Sequence, residues 1–393
     1  MSNLFVEQLQ ALRTRSLYRQ LREIGTAQGA NIDLVGKHLV NFSSNDYLGL
    51  ANDPRLREAA IATIQEFGVG AGASRLVSGT QSPHLRLEEA LAKWKGTGAA
   101  LCFSSGYAAA VGTLPALVTS KDVILLDKLC HASLIDGAKL SGATLRVFPH
   151  NHLGKLESQL DWARRERSQS RLLIVTESVF SMDGDRAPLR ELVELKQRFG
   201  AWLFVDEAHA IGVLGPNGRG LAAAEGVDGD IDIQMGTLSK ALGVSGGYIS
   251  GSRSLIDWLV NRARSFIFST AQPPVLAGAA LAAVNLINSP EGEERRQLLG
   301  RKIEILRNQL PPAPGSAGPP RSSSAIFPWI VGDEQAALDL SRALINEGFL
   351  VPAIRYPTVA KGSARLRITV TASHEEAQIE TLCKTLRRFT LPK

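Results

Sequence analysis

The segments Trp202-Leu-Phe-Val-Asp-Glu-Ala-His209 and Asp232-Ile-Gln-Met-Gly-Thr-Leu-Ser-Lys240 decide the fold class of this 393-residue chain. Each contains a short apolar run followed by polar residues, which is typical of a buried parallel strand that delivers its last side chains to one edge of a sheet. Open α/β sheets bind their ligands at the carboxyl ends of such strands. We therefore expect the carboxylate of Asp206, the imidazole of His209 and the amine of Lys240 to converge at one edge.

The same pattern recurs between residues 41 and 289. Short apolar runs alternate there with helical patterns, and this rhythm predicts βαβ units and a mostly parallel sheet in a large domain. The predicted fold class is therefore α/β. The predicted strands are residues 99–103, 123–126, 144–148, 172–176, 202–205, 231–235 and 247–249.

The two ends of the chain predict a smaller α+β domain. Residues 311–324 are rich in Pro, Gly and Ser and cannot continue the helix that we expect over 293–310, so they predict an exposed connecting loop. A strand at 325–331, a helix at 334–347 and a strand at 365–371 are expected beyond this loop.

An amphipathic helix is expected near the start of the chain. Its apolar face would consist of Leu4, Leu9, Leu12, Leu17 and Leu21. We expect this segment, residues 1–40, to pack with the small domain at 290–393, while residues 41–289 form the large domain.

Composition and charge argue against several classes of protein. With 44% hydrophobic and 21% charged residues, the chain can bury a large core. Its net charge of +6 comes without the dense basic stripe and interleaved aromatics of a nucleic-acid binder, so an anionic cofactor and acidic substrates are the expected partners. Cys102, Cys130 and Cys383 are few and far apart, which predicts neither a disulfide framework nor a metal site.

Neither an export signal nor a membrane segment is expected. The first 23 residues carry charges throughout and lack the apolar core of a signal peptide. The most apolar stretch, residues 275–284, is much shorter than the roughly 20 residues needed to span a bilayer. A cytoplasmic location is therefore expected.

Lys240, Asp206 and His209 together predict a site for pyridoxal phosphate (PLP). This cofactor needs an amine that holds its aldehyde as a Schiff base and a carboxylate that keeps its pyridine nitrogen protonated. His209 is then placed to orient the ring oxygen. Any one of these residues alone is more often a surface lysine or an ordinary strand end, and it is their combination that favours the cofactor.

Three further stretches offer groups to such a cofactor. Gly106 and Tyr107 stand where a strand turns into a helix, and a helix start suits a phosphate, although an ordinary strand-to-helix turn has the same pattern. His131 follows a strand and is expected either to stack on the pyridine ring or to be a satisfied core histidine. Ser181 either donates a hydrogen bond to the cofactor or belongs to a simple turn.

Two polar stretches are candidates for substrate binding. Asn45 lies in a turn rich in Ser, Asn and Asp, a composition that serves backbone capping as readily as a ligand. Strand alternation places Arg365 and Arg367 on one face, where they either grip a carboxylate or form salt bridges.

Six motifs spread over the chain carry a resemblance to a known family. They are Asn41-Phe-Ser-Ser-Asn-Asp-Tyr-Leu-Gly-Leu50, Phe180-Ser-Met-Asp-Gly-Asp185, Asp206-Glu-Ala-His209, Thr237-Leu-Ser-Lys240, Pro357-Thr-Val and Ala364-Arg-Leu-Arg367. Taken together they resemble the α-oxoamine synthases. The resemblance implies a fold-type I PLP-dependent transferase, homodimeric, with active sites at the subunit interface.

The resemblance also implies roles for individual residues. The catalytic residues would be Lys240 as the cofactor's covalent anchor, Asp206 at the pyridine nitrogen, His209 at the ring oxygen and His131 at the ring face. The cofactor site would be completed by Gly106, Tyr107, Ser181 and Thr237, with Thr270 reaching a neighbouring subunit's phosphate. The substrate contacts would be Arg19, Asn45, His131, Thr358 and Arg367, of which Arg367 binds the amino acid carboxylate.

The activity that the resemblance implies is a decarboxylative condensation on the path to biotin. L-alanine would be joined to a pimeloyl thioester of coenzyme A or of acyl carrier protein, with release of carbon dioxide and the thiol. A related enzyme that transfers an acyl group to glycine, forming aminoketobutyrate or aminolevulinate, is an alternative. An aminotransferase, or a non-catalytic partner subunit with the same fold, is a more distant one.

Overall fold

Alternating apolar runs and amphipathic segments form 14 α-helices and 13 strands among the residues described by this computed structural model, which are 2–314, 318 and 322–390. The helices are α1 (Ser2–Thr14), α2 (Pro54–Phe67), α3 (Ser82–Lys95), α4 (Gly106–Leu117), α5 (Ala132–Leu140), α6 (Leu153–Glu166), α7 (Leu189–Phe199), α8 (Leu221–Glu225), α9 (Arg253–Arg262), α10 (Arg264–Ile267), α11 (Pro274–Ile287), α12 (Pro290–Gln309), α13 (Glu334–Asn346) and α14 (Glu376–Thr390). The strands are β1 (Asn31–Leu34), β2 (Lys37–Asn41), β3 (Ala99–Phe103), β4 (Val123–Asp127), β5 (Thr144–Phe148), β6 (Leu172–Glu177), β7 (Trp202–Asp206), β8 (Ile233–Thr237), β9 (Gly247–Gly251), β10 (Ile326–Gly332), β11 (Phe349–Leu350), β12 (Ala353–Ile354) and β13 (Ala364–Thr369).

The larger of two compact units consists of residues 50–181 and 186–296 and contains a seven-stranded sheet. Its strand order is β3-β9-β8-β7-β6-β4-β5. The strands from β8 to β5 are parallel to their neighbours, and β9 alone runs antiparallel to both β3 and β8. The predicted mostly parallel sheet is therefore confirmed.

Helices on the sheet explain why its central strands are continuous apolar runs. Leu173, Ile174 and Val175 of β6 are all fully buried, because side chains on both sides of the strand are covered. Burying each such side chain is worth roughly 1.5–3 kcal/mol. At the edge of the sheet β5 is only partly buried, and its Val147 is exposed.

One strand prediction is displaced along the chain. The expected strand at 231–235 is observed two residues later, as β8. The strand begins later because Asp228–Asp230 first form a short 3-10 turn. This shift matters for the site, because it makes Thr237 the last residue of the strand and leaves only two residues between Thr237 and Lys240.

The smaller unit consists of the described residues up to 49, residues 182–185 and the described residues from 297 onward. It holds two three-stranded sheets, β1-β2-β11 and β10-β13-β12. The first boundary lies nine residues beyond the predicted one, because backbone hydrogen bonds from Thr369 to Phe42 and from Ala372 to Tyr47 tie the stretch after β2 to this unit. The second boundary falls inside α12, after Arg296.

Two expectations for the smaller unit are wrong in part. α1 ends at Thr14, so Leu17 and Leu21 of the expected apolar helix face lie beyond the helix, and of the five leucines only Leu17 is buried. The predicted loop at 311–324 is not exposed at its two ends, where Pro311 and Ser322 are buried. Trp329 donates its indole N–H to the Pro311 carbonyl at 2.9 Å, which explains that burial. Residues 315–317 and 319–321 lie outside the described part of the chain.

Among the described residues, no helix combines the length and the apolar character that crossing a membrane requires. The most apolar helix, α11, has 14 residues and packs most of its alanines into the larger unit.

A buried ion pair joins the end of α3 to the end of β7. Lys95 Nζ lies 2.6 Å from Glu207 Oε2, and both side chains are fully buried. Lys95 also donates to the Arg219 carbonyl, and Glu207 Oε1 accepts from the Ala222 backbone N–H at 3.0 Å. Because Glu207 directly follows Asp206, this pair fixes the backbone that carries the predicted cofactor carboxylate.

We expect Lys95→Met to lower the free energy of unfolding of the apoprotein by about 3–5 kcal/mol, because it leaves the Glu207 charge buried and unpaired. The double variant with Glu207→Met should recover most of this loss. Urea denaturation measures both, with Lys93→Met on the exposed face of the same helix as the matched control. A loss no larger than that of the control would contradict this account.

Candidate active site

The carboxyl ends of three neighbouring strands assemble the polar side chains of the larger unit. β6 ends at Glu177, which is paired in register with Asp206 at the end of β7, and Asp206 is paired with Met235 of β8. His131 follows β4 and caps α5. The parallel register thus brings groups that are up to 109 residues apart in the chain, from His131 to Lys240, to one edge of the sheet.

Lys240 and His209 are in direct contact. Lys240 Nζ lies 2.9 Å from His209 Nε2, so the two motifs that were expected to converge do so. The lysine sits in a tight turn after β8, closed by hydrogen bonds from the Leu238 N–H to the Gly246 carbonyl and from the Gly243 N–H to the Lys240 carbonyl, both 2.9 Å.

Thr237 supports this turn. Its hydroxyl donates to the Gly246 carbonyl at 2.9 Å and accepts from the Ser239 backbone N–H at 3.2 Å. The hydroxyl thereby fixes the backbone three residues before Lys240.

Asp206 is a buried carboxylate with a positive charge nearby. Its Oδ1 accepts a hydrogen bond from the Ala208 backbone N–H at 2.9 Å. Burial raises the pKa of Asp206, while the charge of Lys240 acts in the opposite direction and favours the ionised form. A cationic ring nitrogen next to this carboxylate would offset the remaining free-energy cost of burying its charge.

His131 is held as a neutral ring. Partial burial of the ring lowers its pKa, although the residue as a whole is exposed, and its Nδ1 accepts a hydrogen bond from the Ser133 backbone N–H at 3.2 Å. Since Nδ1 accepts from a backbone donor, the proton of the neutral imidazole is on Nε2. The ring therefore presents a donor on its outer nitrogen.

Glu177 belongs to the same group of residues and was missed in the sequence analysis. It is buried, and its Oε1 accepts from the His131 backbone N–H at 2.5 Å. Burial, together with the charge of Asp206, raises the pKa of Glu177 to about 8. Glu177 shows the same sequence pattern as Asp206, because each is an acidic residue at the end of an apolar strand. That pattern could have indicated Glu177 as well.

The start of α4 forms an open cradle next to this edge. Gly106 is the first helical residue, and Ser105 caps the helix by accepting from the Ala108 N–H at 3.0 Å. A Cβ atom on Gly247 would lie 2.5 Å from the Gly106 nitrogen, so glycine is required for this close approach. The helix start and its free N–H groups are suited to a phosphate.

The remaining predicted cofactor residues have partners of their own. The Tyr107 hydroxyl donates to Asp136 at 2.8 Å, and its ring is about half exposed. Ser181 is buried, whereas Thr270 is exposed and its backbone forms an isolated bridge with Ser74. An exposed Thr270 is compatible with the expected contact to a neighbouring subunit, which stays a prediction.

The donor set of the larger unit fits PLP. It offers an amine at Lys240, a buried carboxylate at Asp206, imidazoles at His209 and His131, and a helix start at Gly106. These are the groups that the aldehyde, the pyridine nitrogen, the ring oxygen, the ring face and the phosphate of PLP require.

The predicted substrate residues all lie in the smaller unit except His131. Arg367 is buried and donates to Asn45 Oδ1 at 3.1 Å, and Asn45 also accepts from the Tyr47 hydroxyl at 3.2 Å. Arg365 instead forms a 2.6 Å ion pair with Asp183. Two roles were considered for these arginines, binding a carboxylate of the substrate or forming a salt bridge. Arg365 forms the salt bridge.

Arg19 and Thr358 lie close to one turn. Arg19 donates to the Tyr356 carbonyl at 3.5 Å, and the Thr358 backbone N–H donates to the Arg355 carbonyl at 3.0 Å. Both side chains are exposed.

A cavity of about 670 Å³ lies at the opposite, amino-terminal edge of the sheet. Its lining includes Trp202 and Ile233, which begin β7 and β8, and Gly251, which ends the antiparallel β9. None of the predicted site residues is among the described residues that line it. The converging polar groups are therefore separated from this cavity by the length of the strands.

Comparison with known proteins identifies the family of this chain. The chain belongs to the aminotransferase class I and II family, whose model matches residues 37–386. Curated relatives called 8-amino-7-oxononanoate synthase include one from Geobacter sulfurreducens, 48% identical over 97% of this chain and 96% of the relative, and one from Citrifermentans bemidjiense, 49% identical over 96% and 95%.

Solved structures share the fold over nearly the whole chain. A serine palmitoyltransferase from S. paucimobilis with a bound PLP–myriocin aldimine superposes with a TM-score of 0.91 at 29% identity, over 98% of this chain and 96% of that one. An 8-amino-7-oxononanoate synthase from Francisella tularensis gives 0.73 at 27% identity, over 90% and 99%. The comparisons confirm the predicted fold class, the predicted family and PLP as the cofactor.

We expect the Glu177→Gln variant to gain stability relative to the wild-type apoprotein as the pH rises. Because the pKa of Glu177 is raised from 4.5 to about 8, the folded protein keeps this proton to a higher pH than the unfolded chain. Its contribution to stability is therefore present at about pH 5 and lost by about pH 8. Glutamine keeps the acceptor for His131 and has no proton to lose.

Urea denaturation at several pH values measures this difference, with the exposed Glu89→Gln as the control. Parallel pH profiles of Glu177→Gln and the wild type would show that Glu177 does not titrate in this way.

Proposed function

We propose that this chain catalyses the reaction of an 8-amino-7-oxononanoate synthase. L-alanine and a pimeloyl thioester condense to 8-amino-7-oxononanoate, carbon dioxide and the free thiol, in the synthesis of biotin. The observation that carries the proposal is the contact of Lys240 with His209 beside Asp206, in a chain that is 45–49% identical to relatives of that name over nearly its whole length.

When bound, PLP supplies an electron sink for the negative charge that develops at the α-carbon of the amino acid. Asp206 would hold the pyridine nitrogen in its protonated form, and its burial makes that interaction strong. His209 would hold the ring oxygen while it contacts Lys240.

Lys240 is proposed to move the proton. Its amine would take the proton from the α-carbon of L-alanine and later return one to the product. The 2.9 Å contact with His209 orients the amine for this transfer. A positioned base of this kind contributes about 10²–10⁴-fold to the rate.

His131 is proposed to bind substrate through Nε2. Its neutral ring has a proton on that nitrogen, which suits a carbonyl or carboxylate oxygen of the substrate. Glu177 fixes the start of α5 through the His131 backbone and so orients the ring.

Arg367 is proposed to bind the carboxylate of L-alanine. The Asn45 carboxamide and the Tyr47 hydroxyl hold its guanidinium group in a buried position, where a charge-assisted hydrogen bond is strong. Arg365 does not take part, because Asp183 already pairs with it. The finer assignments, namely the homodimer, the cytoplasmic location and the choice of coenzyme A or acyl carrier protein as acyl carrier, belong to the same proposal.

The product assay tests the function directly. Purified protein loaded with PLP should convert L-alanine and pimeloyl-CoA to 8-amino-7-oxononanoate, with one carbon dioxide and one thiol per turnover, measured by mass spectrometry and thiol titration. Lys240→Ala should lose the visible absorption of the lysine-bound cofactor and reduce the rate by at least about 10²–10⁴-fold. Product from glycine and acetyl-CoA, with none from L-alanine, would favour the glycine-dependent alternative instead.

Arg367→Ala should raise the KM for L-alanine by about 10–150-fold, the effect of losing a hydrogen bond between charged groups. Arg367→Lys should recover part of this loss, because it keeps the charge but not the planar fork. Initial rates at varied L-alanine and at varied pimeloyl thioester separate the two substrates. An increase confined to the KM of the thioester would place Arg367 at the other substrate.

A further inference from the structure

The start of α4 leaves two backbone donors for the cofactor. Ser105 takes two of the first four N–H groups of the helix, because its hydroxyl accepts from Ala108 at 3.0 Å and its carbonyl accepts from Ala109 at 3.0 Å. Among the described residues, none accepts a hydrogen bond from the backbone N–H groups of Gly106 and Tyr107. These two N–H groups therefore remain for the phosphate of PLP.

The first turn of α4 has few side chains that can hold it in place. Its residues are Gly106, Tyr107, Ala108 and Ala109. The Ala108 carbonyl accepts from the Ser265 hydroxyl at 2.6 Å, which anchors the turn to α10. Helix ends fray, because their backbone hydrogen bonds are incomplete. Tyr107 has the only hydrogen-bonding side chain of this turn, so it is the residue through which a second element can anchor the turn.

Asp136 holds the Tyr107 side chain. The Tyr107 hydroxyl donates to Asp136 Oδ2 at 2.8 Å, although the two residues are 29 positions apart in the sequence. This hydrogen bond raises the pKa of Tyr107, so the phenol keeps its proton and stays the donor. Asp136 belongs to α5, whose N-cap is His131. The hydrogen bond therefore joins the two helices that begin at the cofactor site.

Close packing of α4 against α5 brings Asp136 within reach of Tyr107. A Cβ atom on Gly137 would lie 2.9 Å from both the Ala110 carbonyl oxygen and Leu114 Cδ1, so the helices approach as closely as a glycine allows. Asp136 directly precedes this glycine, and Tyr107 lies three residues before Ala110 in α4. The short distance between the helices lets one carboxylate side chain span the gap.

We propose that Asp136 is a positioning residue for the cofactor phosphate. By holding Tyr107, it fixes the first turn of α4 and with it the N–H groups of Gly106 and Tyr107. Donors that are already ordered bind more tightly, because binding does not have to order them. Asp136 does not itself bind the phosphate, since two anions repel each other. This role concerns the cofactor site of the proposed function, and it can be measured without either substrate.

The experiment compares PLP with pyridoxal, which has the same aldehyde but no phosphate. Each is titrated into the apoprotein, and the visible absorption of the lysine-bound form gives the Kd. We expect Tyr107→Phe and Asp136→Ala each to raise the Kd of PLP about 3–10-fold, the effect of one hydrogen bond, and to change the Kd of pyridoxal less than about twofold. The double variant should bind PLP no more weakly than either single variant, because both substitutions remove the same hydrogen bond.

Two further variants serve as controls. Asp136→Asn keeps an oxygen acceptor for the Tyr107 hydroxyl, so its Kd for PLP should stay within about twofold of the wild-type value. Lys139→Ala changes an exposed residue later in α5 and should alter neither Kd.

The outcomes separate this role from a general loosening of the site. An equal loss of affinity for PLP and pyridoxal overturns the proposal, as does an unchanged Kd of PLP in the single variants. Losses that multiply in the double variant, or an Asp136→Asn variant as weak as Asp136→Ala, overturn it as well. Because none of these measurements depends on turnover, a negative product assay would refute the proposed function without deciding the role of Asp136.

Discussion

The parallel register of β6, β7 and β8 is the constraint on which the rest of the site depends. Because of this register the three strands end at Glu177, Asp206 and Thr237 on the same side of the sheet. The turn that follows β8 brings the Lys240 amine within 2.9 Å of His209. Both the alignment of the strand ends and the contact of Lys240 with His209 join residues that are far apart in the sequence. A slip of one residue in any of these strands would turn its last side chain to the other face of the sheet and remove it from the site.

Burial of the charged groups at this edge shifts their pKa values, and it also costs free energy of folding. Asp206, Glu177 and His131 all have pKa values moved by burial, and the charges of Asp206 and Lys240 set the balance among them. The protein stabilises the backbone next to Asp206 with an internal ion pair between Lys95 and Glu207, the residue that directly follows β7. Two consecutive residues, Asp206 and Glu207, therefore serve the cofactor site and the stability of the fold.

Most of the sheet and the main cofactor groups could be predicted from the sequence, because apolar runs and strand-end polar residues are local signals. Six of the seven predicted strands begin at the observed residue and end within two residues of the observed end, and β8 is displaced by two residues because of the turn at Asp228–Asp230. Glu177 was overlooked although its signal was present, and its raised pKa depends on Asp206 from a different strand. The extent of α1 and the buried ends of the 311–324 loop depend on distant packing partners, which no local pattern reports.

The sequence by itself determined the fold class, the cofactor and the residues with the right chemistry, since these follow from residue type, spacing and family resemblance. The tertiary structure decided which of those residues are available. Arg365 and Arg367 share one face of β13, yet Asp183 pairs with the first while Asn45 and Tyr47 orient the second. The physical reason is that ion pairing and desolvation depend on distances between segments, which only folding sets.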